Sequence, residues 1–182
     1  MSNENTRDAL ITIANNNNGD PLGFLEALSP IHSDWHVPPT TYGFLLFHHR
    51  VVRYFKAIVN PQVNPPVDAF TDAEFEGMDI NPYDGGPDNI ASLNNLQALS
   101  GDIQRWHNGA HARIQVATGV PMMNAAENIF YRVFWQLHFY IDDRFKVALE
   151  QYEAEVHPSA FLNVSAIAAH IEVSHHSWVP TV

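Results

Sequence analysis

The chain has 182 residues, no cysteine and a formal net charge of −11; apolar residues make up 46% and charged ones only 16%, against a usual charged share of about 25%. The length suits one domain with a proper core, spanning 1–182, and the acidic balance argues against nucleic acid and anionic membranes as partners, since both need a basic face. Without cysteine there are no disulfides, no thiolate metal sites and no cysteine nucleophile.

Helical patterns dominate. Thr6 to Ala14 predicts a short helix, closed by the NNNNGD loop at Asn15 to Asp20. Asp20 caps a second, with Pro21 at its first position, running to about Leu28. The polar, proline-bearing SPIHSDWHVPPTT then reads as a connecting segment. Thr41 to Val59 is mostly apolar and predicts a central helix, whereas Asn60 to Pro66 carries three prolines and predicts a loop. Thr71 with Glu74 forms a capping-box pattern that opens a short helix. Asn81 to Gly86 has turn chemistry, and Asp88 to Gln115 predicts a long helix. Gly119-Val120-Pro121 separates it from another, Asn124 to about Glu155. His157-Pro158 breaks the chain again before a last helix to about Ile171 and the tail SHHSWVPTV. No hairpin signal and no internal repeat stand out. The expected fold is mainly α: a helical bundle, whose core is a usual place for a metal site between facing helices.

No stretch approaches ~18 uncharged apolar residues, so no transmembrane helix is expected. The opening MSNENTRDAL lacks the basic and apolar regions of a secretory signal, which predicts a cytoplasmic protein. Few charges and many aromatics predict extensive burial, or a subunit that hides surface in a homo-oligomer.

Eleven histidines stand against nine lysines plus arginines, a surplus that points to metal or proton chemistry. They are spread along the chain, unlike an affinity tag. On the helix after Asp88, Ile103, His107, His111 and Ile114 share one stripe; on the next, Phe130, Phe134, His138, Ile141 and Phe145 do. Any single one of these histidines reads as a core imidazole bonded to a backbone carbonyl. Two at i and i+4 with a third on a facing helix instead predict a three-histidine metal site with an open position. Neutral imidazoles without thiolate suit copper, zinc or iron. On the Thr41 to Val59 helix, Leu45, His49, Val52 and Lys56 share a face, and the adjacent His48 points about 100° away. His32 and His36 are again four apart, so His32, His36 and His49 make a candidate second site.

FHHRVVRYF resembles the first copper-binding signature of the tyrosinase and catechol oxidase family, a histidine-arginine pair opening an aromatic helix. HNGAH resembles the His-Asn-x-x-His of the second signature, and FWQLHFYID the Phe-Trp-Leu-His-His-x-x-Ile-Asp that closes it. The resemblance covers roughly Ile31 to Phe55 and Trp106 to Phe145. It implies a type 3 copper protein, with two copper ions on three histidines each inside a four-helix bundle. His107, His111 and His138 then hold the second copper, and His49 belongs to the first. The chain departs from the family in several places. Thr40 stands where the family has a ligand nine residues before His49, which leaves His36 and His32 as candidates and His48 as a fallback. Leu137 replaces one histidine of the closing pair, Tyr131-Arg132 replaces the Asp-Pro before it, the thioether-linked cysteine is missing, and no obvious C-terminal shielding domain is expected.

The activity implied is oxidation of phenols, o-diphenols or o-aminophenols to quinone-type products, with O2 and a small aromatic substrate as partners. In hydroxylating relatives the Asn after the first histidine helps a glutamate hold a water that deprotonates the phenol. Asn108 matches that Asn, but Ala98 and Leu99 occupy the region of the glutamate and Asp102 is the nearest acid. Asp142, one turn beyond His138, is placed either to anchor a ligand's outer nitrogen or to form a surface salt bridge with Arg144 or another base. Arg50 reads as a partner for such a carboxylate or as a surface cation. Met122 and Met123 read as the mouth of the site or as core filler, and His175 and His176 as an auxiliary metal binder or an exposed tail. Two rival functions remain: a hemocyanin-like oxygen binder without turnover, and a protein with one three-histidine copper or zinc site. Carboxylate-bridged di-iron proteins are set aside, since their Glu-x-x-His pairs are missing.

Overall fold

The computed structural model describes residues 21–35, 44–85 and 93–156. The helices expected at Thr6 to Ala14 and on to Ile171, His36, and the His175-His176 tail lie outside them. Among the described residues the protein is mainly α, with five α-helices and no strand. No helix there is long and apolar enough to cross a membrane.

Helix α1, Pro21–Trp35, passes straight through Pro30, well beyond the end expected at about Leu28. A proline inside a helix costs about 3 kcal/mol. The continued turn keeps Phe24, Leu25, Leu28 and His32 on one buried stripe, and burying each large apolar side chain returns about 1.5–3 kcal/mol. Ser29 Oγ donates to Ala126 O at 2.6 Å, tying this part of α1 to the turn ahead of α5.

Helix α2, Phe44–Tyr54, is buried nearly all round, as a central helix must be. Arg50 is fully buried within it, which corrects its reading as a surface cation. The helix widens into a π-turn over Phe55–Val59 and tightens to a 3-10 turn over Asn60–Gln62, where Phe55 stacks on Trp135 at 3.8 Å between ring centroids. Beyond it, Asn60 orders the proline loop by clasping Val67 at both backbone atoms. The expected capping box is present: Thr71 and Glu74 exchange bonds at the start of α3, Asp72–Gly77.

Helix α4 covers Leu93–Thr118. It stops where Gly119 adopts φ of 76° and donates to Gln115 O at 2.9 Å, the left-handed ending that glycine takes without strain. The next helix starts later than the expected Asn124. The N–H groups of Glu127 and Asn128 both turn back to Asn124 O, so the chain makes a turn and a 3-10 segment, Asn128–Phe130, before α5, Arg132–Val156. Trp135 locks that junction by donating Nε1–H to Ile129 O. α2 packs against both α4 and α5, and the aromatic side chains between them form the core.

Candidate metal centre

His107 and His111 lie one turn apart on α4, flanked by the buried Ile103 and Ile114, and His138 faces them from α5. The three imidazoles are buried, with ring centroids 4.1, 4.9 and 5.6 Å apart. One nitrogen from each lies within 4.8 Å of the other two. Two nitrogens on one ion at ~2.0–2.1 Å sit roughly 3.4 Å apart at a tetrahedral angle, so this group can hold a metal ion.

The outer nitrogens are fixed by oxygen acceptors. His111 Nδ1 donates to Met122 O at 2.6 Å, His138 Nδ1 to Phe134 O at 2.7 Å, and His107 Nδ1 to Asn108 Oδ1 at 3.2 Å. Each bond assigns the proton to Nδ1 and leaves the Nε2 lone pair for a cation. His107 Nε2 and His138 Nε2 then face each other at 3.1 Å. Two such lone pairs repel unless a proton or metal ion lies between them, so the donor set fits a bound cation. The backbone reaches this arrangement through the Gly119-Val120-Pro121 break, which sets Met122 O beside α4. Asn128 Nδ2 donates to the same carbonyl at 3.0 Å.

The other candidates fall on α1 and α2. His32 is buried, and its Nδ1 donates to Ala125 O at 2.7 Å. His49 is buried too, but its Nδ1 donates to Asp142 Oδ1 at 2.6 Å, and Lys56 Nζ donates to Asp142 Oδ2 at 3.0 Å. The periodic face His49–Lys56 thus meets α5 at Asp142, which anchors a histidine's outer nitrogen and makes no ion pair with Arg144. That arginine sits on Tyr140 and Asp72 instead. His48 is the α2 histidine in ring contact with the trio, 4.8 Å from His138 and 5.8 Å from His107. The acceptors that orient these rings are mostly backbone carbonyls, which no side-chain pattern announces.

A cleft of about 220 Å³ opens on His107 and His111, lined also by Asn108, Met122, Met123, Ala125 and Asn128. Met122 is fully buried and Met123 exposed, so the two methionines divide the roles of core filler and mouth. Asp102, the nearest acid on α4, is held by Tyr83 Oη at 2.9 Å and by Arg105. Burial of the Tyr83 phenol, reinforced by the bond to Asp102, pushes its pKa up to about 12.

Comparison with known proteins returned no match to a family model, to a curated protein or to a solved structure.

Proposed function

We propose that the protein is a tyrosinase-like dicopper oxidase that uses O2 to turn phenols, o-diphenols or o-aminophenols into quinone-type products. The observation that carries this reading is the trio His107, His111 and His138, three buried imidazoles held by their Nδ1–H groups with two Nε2 atoms at 3.1 Å. Copper bound there would supply one-electron redox chemistry and a place for dioxygen.

The chain's own residues support substrate access at that point. The cleft reaches His107 and His111 past a wall of Met122, Met123 and Ala125, apolar enough to take a flat aromatic ring while Asn108 and Asn128 offer polar contacts. Phe134 and Phe44 also pack on the trio, with centroids 3.9 Å from His138 and 4.8 Å from His107, and shield those rings from water. Asp102 is already engaged by Tyr83 and Arg105, which leaves no free carboxylate of α4 to deprotonate a monophenol. A catechol or o-aminophenol, which ionises or oxidises more readily, is therefore the favoured substrate.

The test is oxygen consumption and quinone formation by copper-loaded protein given catechol. Turnover that vanishes in His107→Ala supports the enzyme. Reversible oxygen uptake without quinone would make the protein an oxygen binder, and one copper or zinc per chain with neither activity would leave the single-ion site.

A further inference from the structure

We infer that His48 and His32 hold a second metal ion beside the trio, and that the neighbouring His49 does not. The inference rests on the two-ion part of the proposed function and names the α2 ligand, which the motif places at His49.

Successive helical residues project about 100° apart, so only one of the two histidines can face the trio. The choice is made by the rotation of α2 about its axis, and Asp142 fixes that rotation. Its two carboxylate oxygens take His49 Nδ1–H and, two turns further on, the Lys56 ammonium. With that face turned to Asp142, His48 swings toward the histidines. Its ring lies 5.7 Å from His32, 4.8 Å from His138 and 5.8 Å from His107. His49 makes no ring contact with any of them; its Nε2 is buried without a hydrogen-bond partner, beside a small pocket lined by Leu45, Ile141, Phe145 and Leu149 together with His48 and His138.

The protonation pattern of His32 and His48 matches that of the trio. His48 Nδ1 donates to Phe44 O at 2.8 Å and His32 Nδ1 to Ala125 O at 2.7 Å, so in both rings Nε2 carries the lone pair. Two imidazoles that share one ion at ~2.0–2.1 Å have centroids roughly 5–6 Å apart, which is the spacing of His32 and His48. Contact of His48 with His138 and His107 puts this ion next to the first, as a bridged pair needs.

The experiment uses the full chain, stripped with a chelator and loaded with cobalt(II), and counts ions in the wild type and in His48→Gln, His49→Gln and His107→Ala. Expected are two ions in the wild type, one in His48→Gln and two in His49→Gln, where the amide N–H keeps a bond to Asp142 and with it the rotation of α2. Because His48→Gln sits in the core and could unfold the protein, a second pair, His48→Cys and His49→Cys, reads proximity directly. A thiolate on cobalt adds an intense near-ultraviolet charge-transfer band, expected for His48→Cys and absent for His49→Cys. The band in His49→Cys alone, or loss of one ion in His49→Gln alone, overturns the inference and leaves the two-ion reading standing. A wild type that binds one ion, abolished by His107→Ala and untouched by His48→Gln, overturns both.

Discussion

His49 Nδ1 donates to Asp142 Oδ1 at 2.6 Å, and both side chains are buried. The bond joins the middle of α2 to α5 four residues beyond His138, so it sets how the two helices meet at the metal centre. Lys56 Nζ, partly exposed, balances the carboxylate's charge at 3.0 Å and reaches Asp143 at 2.8 Å.

Asp142→Ala should destabilise the metal-free protein by about 1–3 kcal/mol, because it leaves a buried imidazole N–H without its acceptor. Asp142→Asn keeps an oxygen for His49 and should lose less. Lys56 keeps Asp143 in either variant, so little of the loss should come from the ammonium. Urea unfolding of the stripped protein measures both. Equal losses in the two variants would mean that the charge, and not the acceptor, holds the helices together.

His107→Ala and His138→Ala should each remove tight binding of one ion, since either change takes away one of the three imidazoles that converge there. Competition titration with a coloured chelator reads the affinity, and full retention of metal in either variant would sink the site. Phe134→Leu, which alters the face packed on His138 and keeps all three ligands, should retain the ion.

The trio was legible in the sequence because it depends on helical spacing alone: His107 and His111 lie on the stripe of Ile103 and Ile114, and His138 on that of Phe134 and Ile141. Helical class, the capping box at Thr71 and the break at Gly119 were legible for the same reason, each being a local pattern. What the sequence hid depends on contacts between distant segments. Nothing local says that α1 continues through Pro30, since the burial of Leu28 and His32 decides it. Nothing local chooses between His48 and His49, because a partner 93 residues away from His49 fixes the rotation of α2. The later start of α5 likewise follows from a turn closed on Asn124 O.

Alkali should weaken the fold through buried tyrosines, most of all Tyr54 and Tyr83, with Tyr140 shifted in the same direction. Burial raises the Tyr54 phenol from the usual 10.0 to about 12, and burial together with Asp102 does the same for Tyr83. A folded-state pKa above the unfolded one means that the folded protein keeps its proton longer. Their contribution is therefore complete below pH 10.0 and is lost as pH rises through about 12. Phenolate absorbance for these two residues should appear together with loss of helical circular dichroism, and Tyr83→Phe should flatten the decline. Ionisation near pH 10.0 with the helices intact would show that neither phenol is shielded as placed.

Asn108 separates two roles. Its Oδ1 accepts from His107 Nδ1 at 3.2 Å, which makes it the acceptor that orients a metal ligand; the resemblance to tyrosinases assigns it instead to a water at the substrate. Loss of an acceptor behind a ligating histidine typically weakens metal binding about 10–100-fold. Asn108→Ala should therefore loosen the ion at His107, His111 and His138 by that factor, measured by chelator competition with no substrate present. Asn108→Asp, with a charged acceptor, should hold the ion at least as tightly as the wild type. Unchanged affinity in Asn108→Ala, together with a selective loss of monophenol hydroxylation, would move the residue from the ligand's outer nitrogen to the substrate.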